Sequence, residues 1–163
     1  GLYLGWGVIA KQIIHQRAVN SLASAGITSN KIFITPTALN TILWRVVVID
    51  GNNYWEGDSS FLDKSTAITF EKRQRNHWPL PQTPKLLDSY LFFTHDFVRY
   101  REENNQLIIS DLRMGMREKA AFEFTFAQRD INNQWTPVTP TRFESERFNI
   151  DFKAFIKRIS GED

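Results

Sequence analysis

The sequence predicts an α+β fold: a strongly twisted, mainly antiparallel sheet of six to eight strands, with an N-terminal helix, one mid-chain helix and a C-terminal helix. Three observations carry this. Ile42 to Ile49 is an apolar, largely β-branched run broken only by Arg45, which reads as a strand covered on both faces. Turn-forming clusters at Asp50–Asn53, Glu103–Asn105 and Asp130–Gln134 each separate two strand-like stretches, the pattern of hairpins and hence of antiparallel pairing. Thirteen Phe, five Trp and four Tyr supply large rings to fill the space between a sheet and its cover.

Gly7–Ala25 places Val8, Ile9, Ile13, Ile14 and Leu22 at helical spacing, and Gly26 is a C-terminal cap. Ser29–Thr35 is short and extended, and Pro36 fixes its own φ while biasing Thr35 towards extended backbone. The central strand turns over at Asp50-Gly51-Asn52-Asn53 into a strand beginning at Tyr54 and Trp55. Ala67–Glu71 alternates as a strand should, and Lys72–Asn76 reads as a solvated strand end or, alternatively, a headgroup or phosphate contact. Pro79, Pro81 and Pro84 make a rigid loop. Pro84–Thr94 carries Leu86, Leu87, Tyr90, Leu91 and Phe93 near helical spacing. A hairpin follows over Phe97–Glu102 and Gln106–Leu112. Ala121–Gln128 sets Phe122, Phe124 and Phe126 against Glu123 and Thr125, giving one core face and one wet face. Asp151–Ile159 closes the chain as a helix with Phe152, Phe155, Ile156 and Ile159 on one side.

A chain of 163 residues is of a size for one soluble domain, residues 1–163, with its own core. Twenty basic against eighteen acidic residues leave a net charge of +2, too small to imply a nucleic-acid partner. The absence of cysteine excludes disulfides and thiolate metal sites. The three histidines lie far apart in the sequence with no metal-ligand spacing. No phosphate-binding glycine loop, nucleophile elbow or dinucleotide fingerprint occurs. Residues 1–10 are apolar with Tyr3 and Trp6, and Lys11 and Arg17 follow. That is the texture of the end of a transmembrane helix, although it also suits an amphipathic helix packed on the domain. Gly1 points to a longer protein upstream.

Polar residues inside apolar strands are the remaining candidates. Arg45 interrupts the most apolar strand, and a guanidinium there must reach water, pair with a carboxylate or bind an anion. Arg45, Arg99 and Arg113 are therefore candidates for an anion or substrate site. His95, with Asp111 or Asp96 beside it, is a candidate acid/base. Two alternatives stay open: Asp111 and Arg113 as an ion pair that fixes strand order, and His95 as a helix-end histidine.

The segment Thr35-Pro36-Thr37-Ala38-Leu39-Asn40-Thr41-Ile42-Leu43-Trp44-Arg45-Val46-Val47 resembles the T-P-T-P-x-N-x-x-x-W-R-V stretch of the bacterial membrane-bound metal-dependent hydrolase family. Tyr54-x-Glu-Gly57, Phe93-Thr94-His95-x-Phe97 and Ile109-x-Asp111-Leu112-Arg113-Met114-Gly115 extend the likeness in order, from about Ser24 to Pro140. Ala38 departs from the proline common there. The resemblance implies that hydrophobic helices carrying His/Asp metal residues precede this region in the full-length protein. The chain itself is then the soluble tail, holding no metal or other cofactor and no position that matches the metal motif. It contributes substrate contacts or regulation or, alternatively, is a non-catalytic binding or scaffolding domain of a membrane protein. The divalent metal belongs to the full-length protein, whose substrate is an unidentified small molecule. The membrane is the partner, through the upstream region. The location implied is the bacterial inner membrane. Lys11, Arg17 and Lys31, with no acidic residue before Asp50, place the tail on the cytoplasmic side by the positive-inside rule.

Overall fold

The computed structural model describes residues 1–28, 31–37, 42–116, 119–120 and 123–143. Among them are two α-helices and two four-stranded antiparallel sheets, with a further two-stranded ribbon. The fold is α+β and antiparallel. The strands form two sheets, not the one sheet of six to eight expected, and the chain divides into two compact units, Gly1–Gln74 and Arg75–Asp163. The change comes at Arg75, ahead of the prolines at 79, 81 and 84. The Arg75 carbonyl accepts from Tyr100 N at 2.7 Å and its Nε donates to Val98 O at 3.0 Å, so the chain has already left the first sheet for the second. The helix expected over Asp151–Ile159 lies outside the described residues.

In the first unit, α1 (Leu2–Ala25) covers the meander β1 (Lys31–Pro36), β2 (Leu43–Asp50), β3 (Asn53–Ser60) and β4 (Glu71–Gln74), paired in that order. The helix begins at Leu2, ahead of the expected Gly7. Gly5 and Gly7 weaken helix propagation, but Trp6 between them packs on Phe61 with ring centroids 5.5 Å apart. Gly26 ends the helix at φ 69°, and Ile27 N donates back to Leu22 O at 2.9 Å, the closure that favours glycine. Ala10, Ile14, Ala18 and Leu22 form the buried line of α1 against Ile34, Trp44, Val46 and Val48 of the sheet. The β2–β3 hairpin turns on Gly51 at φ 56° between the paired Asp50 and Asn53. The strand expected over Ala67–Glu71 is displaced to β4. Ile68 N instead donates to Ser21 Oγ at 2.8 Å, and its side chain fills the space over Gly57, where a Cβ would lie 2.6 Å from Ile68 Cγ2.

In the second unit, α2 (Lys85–Phe93) lies on a sheet containing β5 (Val98–Glu103), β6 (Gln106–Asp111), β9 (Glu123–Arg129) and β10 (Trp135–Arg142) in the order β10-β9-β6-β5. The ribbon pairs β7 (Gly115–Met116) with β8 (Lys119–Ala120). Leu87 and Tyr90 of α2 meet Val98, Tyr100, Leu107, Ile109, Phe124 and Phe126 in one core. Asn104 and Asn105, at φ 51° and 60°, turn the β5–β6 hairpin, as asparagine at positive φ allows. Phe124 and Phe126 are core, as expected, but Thr125 on the other face is also buried. Its hydroxyl donates to Gln106 Oε1 at 2.9 Å, which makes that burial tolerable.

Candidate functional site

In the first unit the chemistry gathers around Glu56. Alternation on β2 sends Trp44, Val46 and Val48 towards α1, so Arg45 points to the opposite face. The register pairs Val47 with Glu56 and Arg45 with Asp58, which makes Glu56 the diagonal neighbour of Arg45. Arg45 Nη2 donates to Glu56 Oε1 at 2.5 Å, and both side chains are about nine-tenths buried. Arg73 Nε lies 3.5 Å from the other carboxylate oxygen, and Arg73 Nη2 reaches Glu71 Oε2 at 3.4 Å. A buried carboxylate thus sits between two guanidiniums, a geometry that compensates the charge removed from water.

In the second unit the candidates divide between the two faces of the sheet. The register sets Val98 opposite Asp111 and Arg99 opposite Ser110, so Asp111 shares the α2 face and Arg99 the other. Asp111 is almost fully buried, and its carboxylate accepts from Arg113 N at 2.9 Å, Nε at 3.3 Å and Nη2 at 3.2 Å. The Arg113 guanidinium stands 5.1 Å over the Phe93 ring. Asp111 and Arg113 are therefore brought together. Arg99 is half-buried and on the other face, where Arg101 pairs with Glu103 and with Glu123 at 2.8 Å, and Ser110 Oγ donates to Glu123 Oε1 at 2.9 Å.

His95 is exposed, at φ 51°, in the turn that ends α2, and Asp96 follows at φ 62°. His95 N donates to Phe92 O at 3.3 Å and Asp96 N to Leu91 O at 3.0 Å, a helix-terminating pattern. Asp96 pairs with Arg75 at 3.2 Å. Tyr90 lies beneath this region, and its hydroxyl pKa is pushed well above the usual tyrosine value, first by burial and then by the Asp111 charge. Burial, with a smaller contribution from Asp96, raises Tyr100 to about 12.

Two important residues were not legible as such in the sequence. Arg75 belongs to a run that reads as a solvated strand end, yet it is buried, donating from Nε to Val98 O at 3.0 Å and from Nη2 to Asp96 O at 2.7 Å. Nothing in the run Lys-Arg-Gln-Arg signals that. Glu56 did leave a signal: folding the chain at Gly51-Asn52 puts it diagonally across from Arg45.

The third feature is apolar. Leu2, Tyr3, Leu4, Trp6, Val8 and Ile9 of α1 are all exposed, Leu2 at 97% and Val8 at 66%. The first turns of the helix thus show large apolar side chains with no charge among them, and water is a poor solvent for such a surface. No helix among the described residues is long and apolar enough to cross a membrane. Among the described residues no three His, Cys, Asp or Glu side chains are grouped to hold a metal ion, so no step through a metal is derived for these residues. Set against known proteins, the chain matches no family model, no curated sequence and no solved structure.

Proposed function

We propose that this chain is the membrane-attached tail of a bacterial inner-membrane protein of the metal-dependent hydrolase kind, acting as a binding or scaffolding domain. The observation that carries the membrane part is the run of exposed apolar side chains on the first turns of α1. From Lys11 onward the same helix is amphipathic, with Lys11, Gln12, His15, Gln16 and Asn20 outward. Residues 2–9 have no such polar side, and about 12 Å of helix would sit in a bilayer interface or continue a span from upstream.

Of the two roles open to the tail, substrate contact or scaffolding, the side-chain pairing favours scaffolding. Arg45 is held by Glu56 and Arg113 by Asp111, and Arg99 faces away from Asp111. These groups act on this reading as struts that fix strand order. Substrate contact would instead need Arg45, Arg99, Arg113, His95 and Asp111 to converge on one small-molecule anion. The divalent metal, on the same reading, belongs to the upstream helices. The domain hangs on the cytoplasmic face, because Lys11, Arg17 and Lys31 flank the apolar turns and acidic residues are absent before Asp50.

Flotation of the 163-residue chain with phosphatidylcholine–phosphatidylglycerol vesicles tests the attachment. The wild-type chain is expected to float, and Leu4→Asp or Val8→Asp to lower its partition by about tenfold or more without altering its circular dichroism. A chain that stays with the soluble fraction contradicts the reading. The isolated chain is also expected to hydrolyse nothing in a metal-dependent way. Robust activity with Zn²⁺ or Mn²⁺ that disappears in His95→Ala would overturn the scaffolding role.

A further inference from the structure

We propose that the turn after β3 is a second membrane contact, with Leu62 entering the same anionic bilayer surface as the first turns of α1. The proposal rests on the membrane-attached reading above and adds to it a site separated by more than fifty residues of sequence.

Leu62 is 79% exposed. A lone exposed leucine needs no explanation, but this one is tied to the apolar end of α1. Its neighbour Phe61 packs against Trp6 with the ring planes tilted by 47° and the centroids 5.5 Å apart, so the turn and the helix's first turns form one surface. Arg17, a residue of the same helix, fixes the arrangement from further along. Its guanidinium lies 5.2 Å from the Phe61 ring, while Nη1 donates to Ser59 Oγ at 3.1 Å and to Ser60 O at 3.0 Å.

The turn is also internally braced. Ser60 N donates to Asp63 Oδ2 at 2.8 Å, Leu62 N to Ser60 Oγ at 3.0 Å, and Asp63 N to Ser60 O at 3.2 Å. A backbone held at three points keeps Leu62 outward, so little ordering entropy remains to be lost when the side chain is buried elsewhere.

Charge selects the occupant. Lys11 on the helix and Lys64 after the turn are exposed, and α1 contains no acidic residue. The one carboxylate of the turn, Asp63, keeps its charge while accepting from Ser60 N, but Lys11, Arg17 and Lys64 outnumber it, so the surface is net positive. Apolar side chains flanked by outward lysines, with Trp and Tyr between them, match the boundary between acyl chains and anionic headgroups.

The chain has no cysteine, so single labels can be placed in the whole 163-residue protein. Leu62→Cys and Leu4→Cys, each carrying nitrobenzoxadiazole, are mixed with phosphatidylcholine–phosphatidylglycerol vesicles. The expected result is a blue shift with increased intensity at both positions, and a vesicle partition lowered about tenfold by Leu62→Asp at an unchanged urea midpoint. A shift at position 4 with a water-like spectrum at position 62 overturns this proposal and leaves the membrane-attached reading standing. No shift at either position overturns both. A shift at position 62 that grows with protein concentration in buffer alone assigns the patch to a second copy of the chain, and the proposal is then wrong.

Discussion

In Gly1–Gln74 a long helix lies on a four-stranded sheet, and in Arg75–Asp163 a short helix lies on another, yet the two treat their surroundings differently. In α2, Leu87 and Tyr90 are buried and Lys85 and Asp88 face water, with one large apolar side chain, Phe92, exposed in its last turn. α1 behaves that way only from Ala10 on, where its buried line begins. The sheets differ as well. The first buries a carboxylate between two guanidiniums on the face away from its helix. The second keeps Arg101, Glu123, Arg129 and Glu102 partly or largely exposed, and its one deeply buried carboxylate, Asp111, is held by the single guanidinium of Arg113. Equal architecture does not mean equal surfaces: residues 2–9 of α1 expose six large apolar side chains, where α2 exposes one.

The sharpest way to break the comparison is at Glu56. Glu56→Ala leaves two guanidiniums without their shared carboxylate and is expected to destabilise the chain by about 3–5 kcal/mol, read from urea denaturation. Glu102→Ala, removing the exposed partner of Arg129, is expected to leave the midpoint nearly unmoved. Equal losses from the two would mean that the burial of the first pair has no energetic meaning.

A smaller effect is expected at Gly57. Its Cβ position lies 2.6 Å from Ile68 Cγ2 and 3.0 Å from Thr69 O, and the latter is backbone that cannot swing away. Gly57→Ala should cost about 1–3 kcal/mol by overpacking. The double variant with Ile68→Ala, which removes Cγ2, should be less unstable than the two single losses added together, which a double-mutant cycle would detect.

Smaller still, and confined to alkaline solution, is the effect of Tyr100. Its pKa is about 12 in the folded chain against an ordinary 10. Between those values the unfolded chain has lost the proton that the folded chain keeps. The stabilising contribution is therefore whole below pH 10 and is lost as the pH rises towards 12. Tyr100→Phe should flatten the fall of the urea midpoint over that window. An unchanged slope would show that Tyr100 titrates normally.

The antiparallel α+β character was legible because the turns are written in side chains that tolerate positive φ. Gly51, Asn104, Asn105 and Asn133 all adopt it. The split into two sheets was not legible, since local alternation says which face a residue takes and nothing about which sheet it joins. The start of α1 was hidden by Gly5 and Gly7, whose poor helix propensity is outweighed by the docking of Trp6 on Phe61. Ile68 read as a strand residue because its neighbours alternate. Only the close approach to Gly57 shows why it leaves the ladder. Among the candidate residues, Asp111 and Arg113 meet as their spacing allowed. Arg99 falls on the other face because β5 pairs Val98, not Arg99, with Asp111.

The central claim is that the first turns of α1 are built for a bilayer, and Trp6 tests it directly. Vesicles containing brominated phosphatidylcholine quench indoles that lie at the acyl boundary. The wild-type chain is expected to lose part of its tryptophan fluorescence on mixing, and Trp6→Phe to lose none, since the quenched fraction belongs to that one ring. Fluorescence unaffected by brominated lipid in the wild type, or quenched equally in Trp6→Phe, would contradict the account.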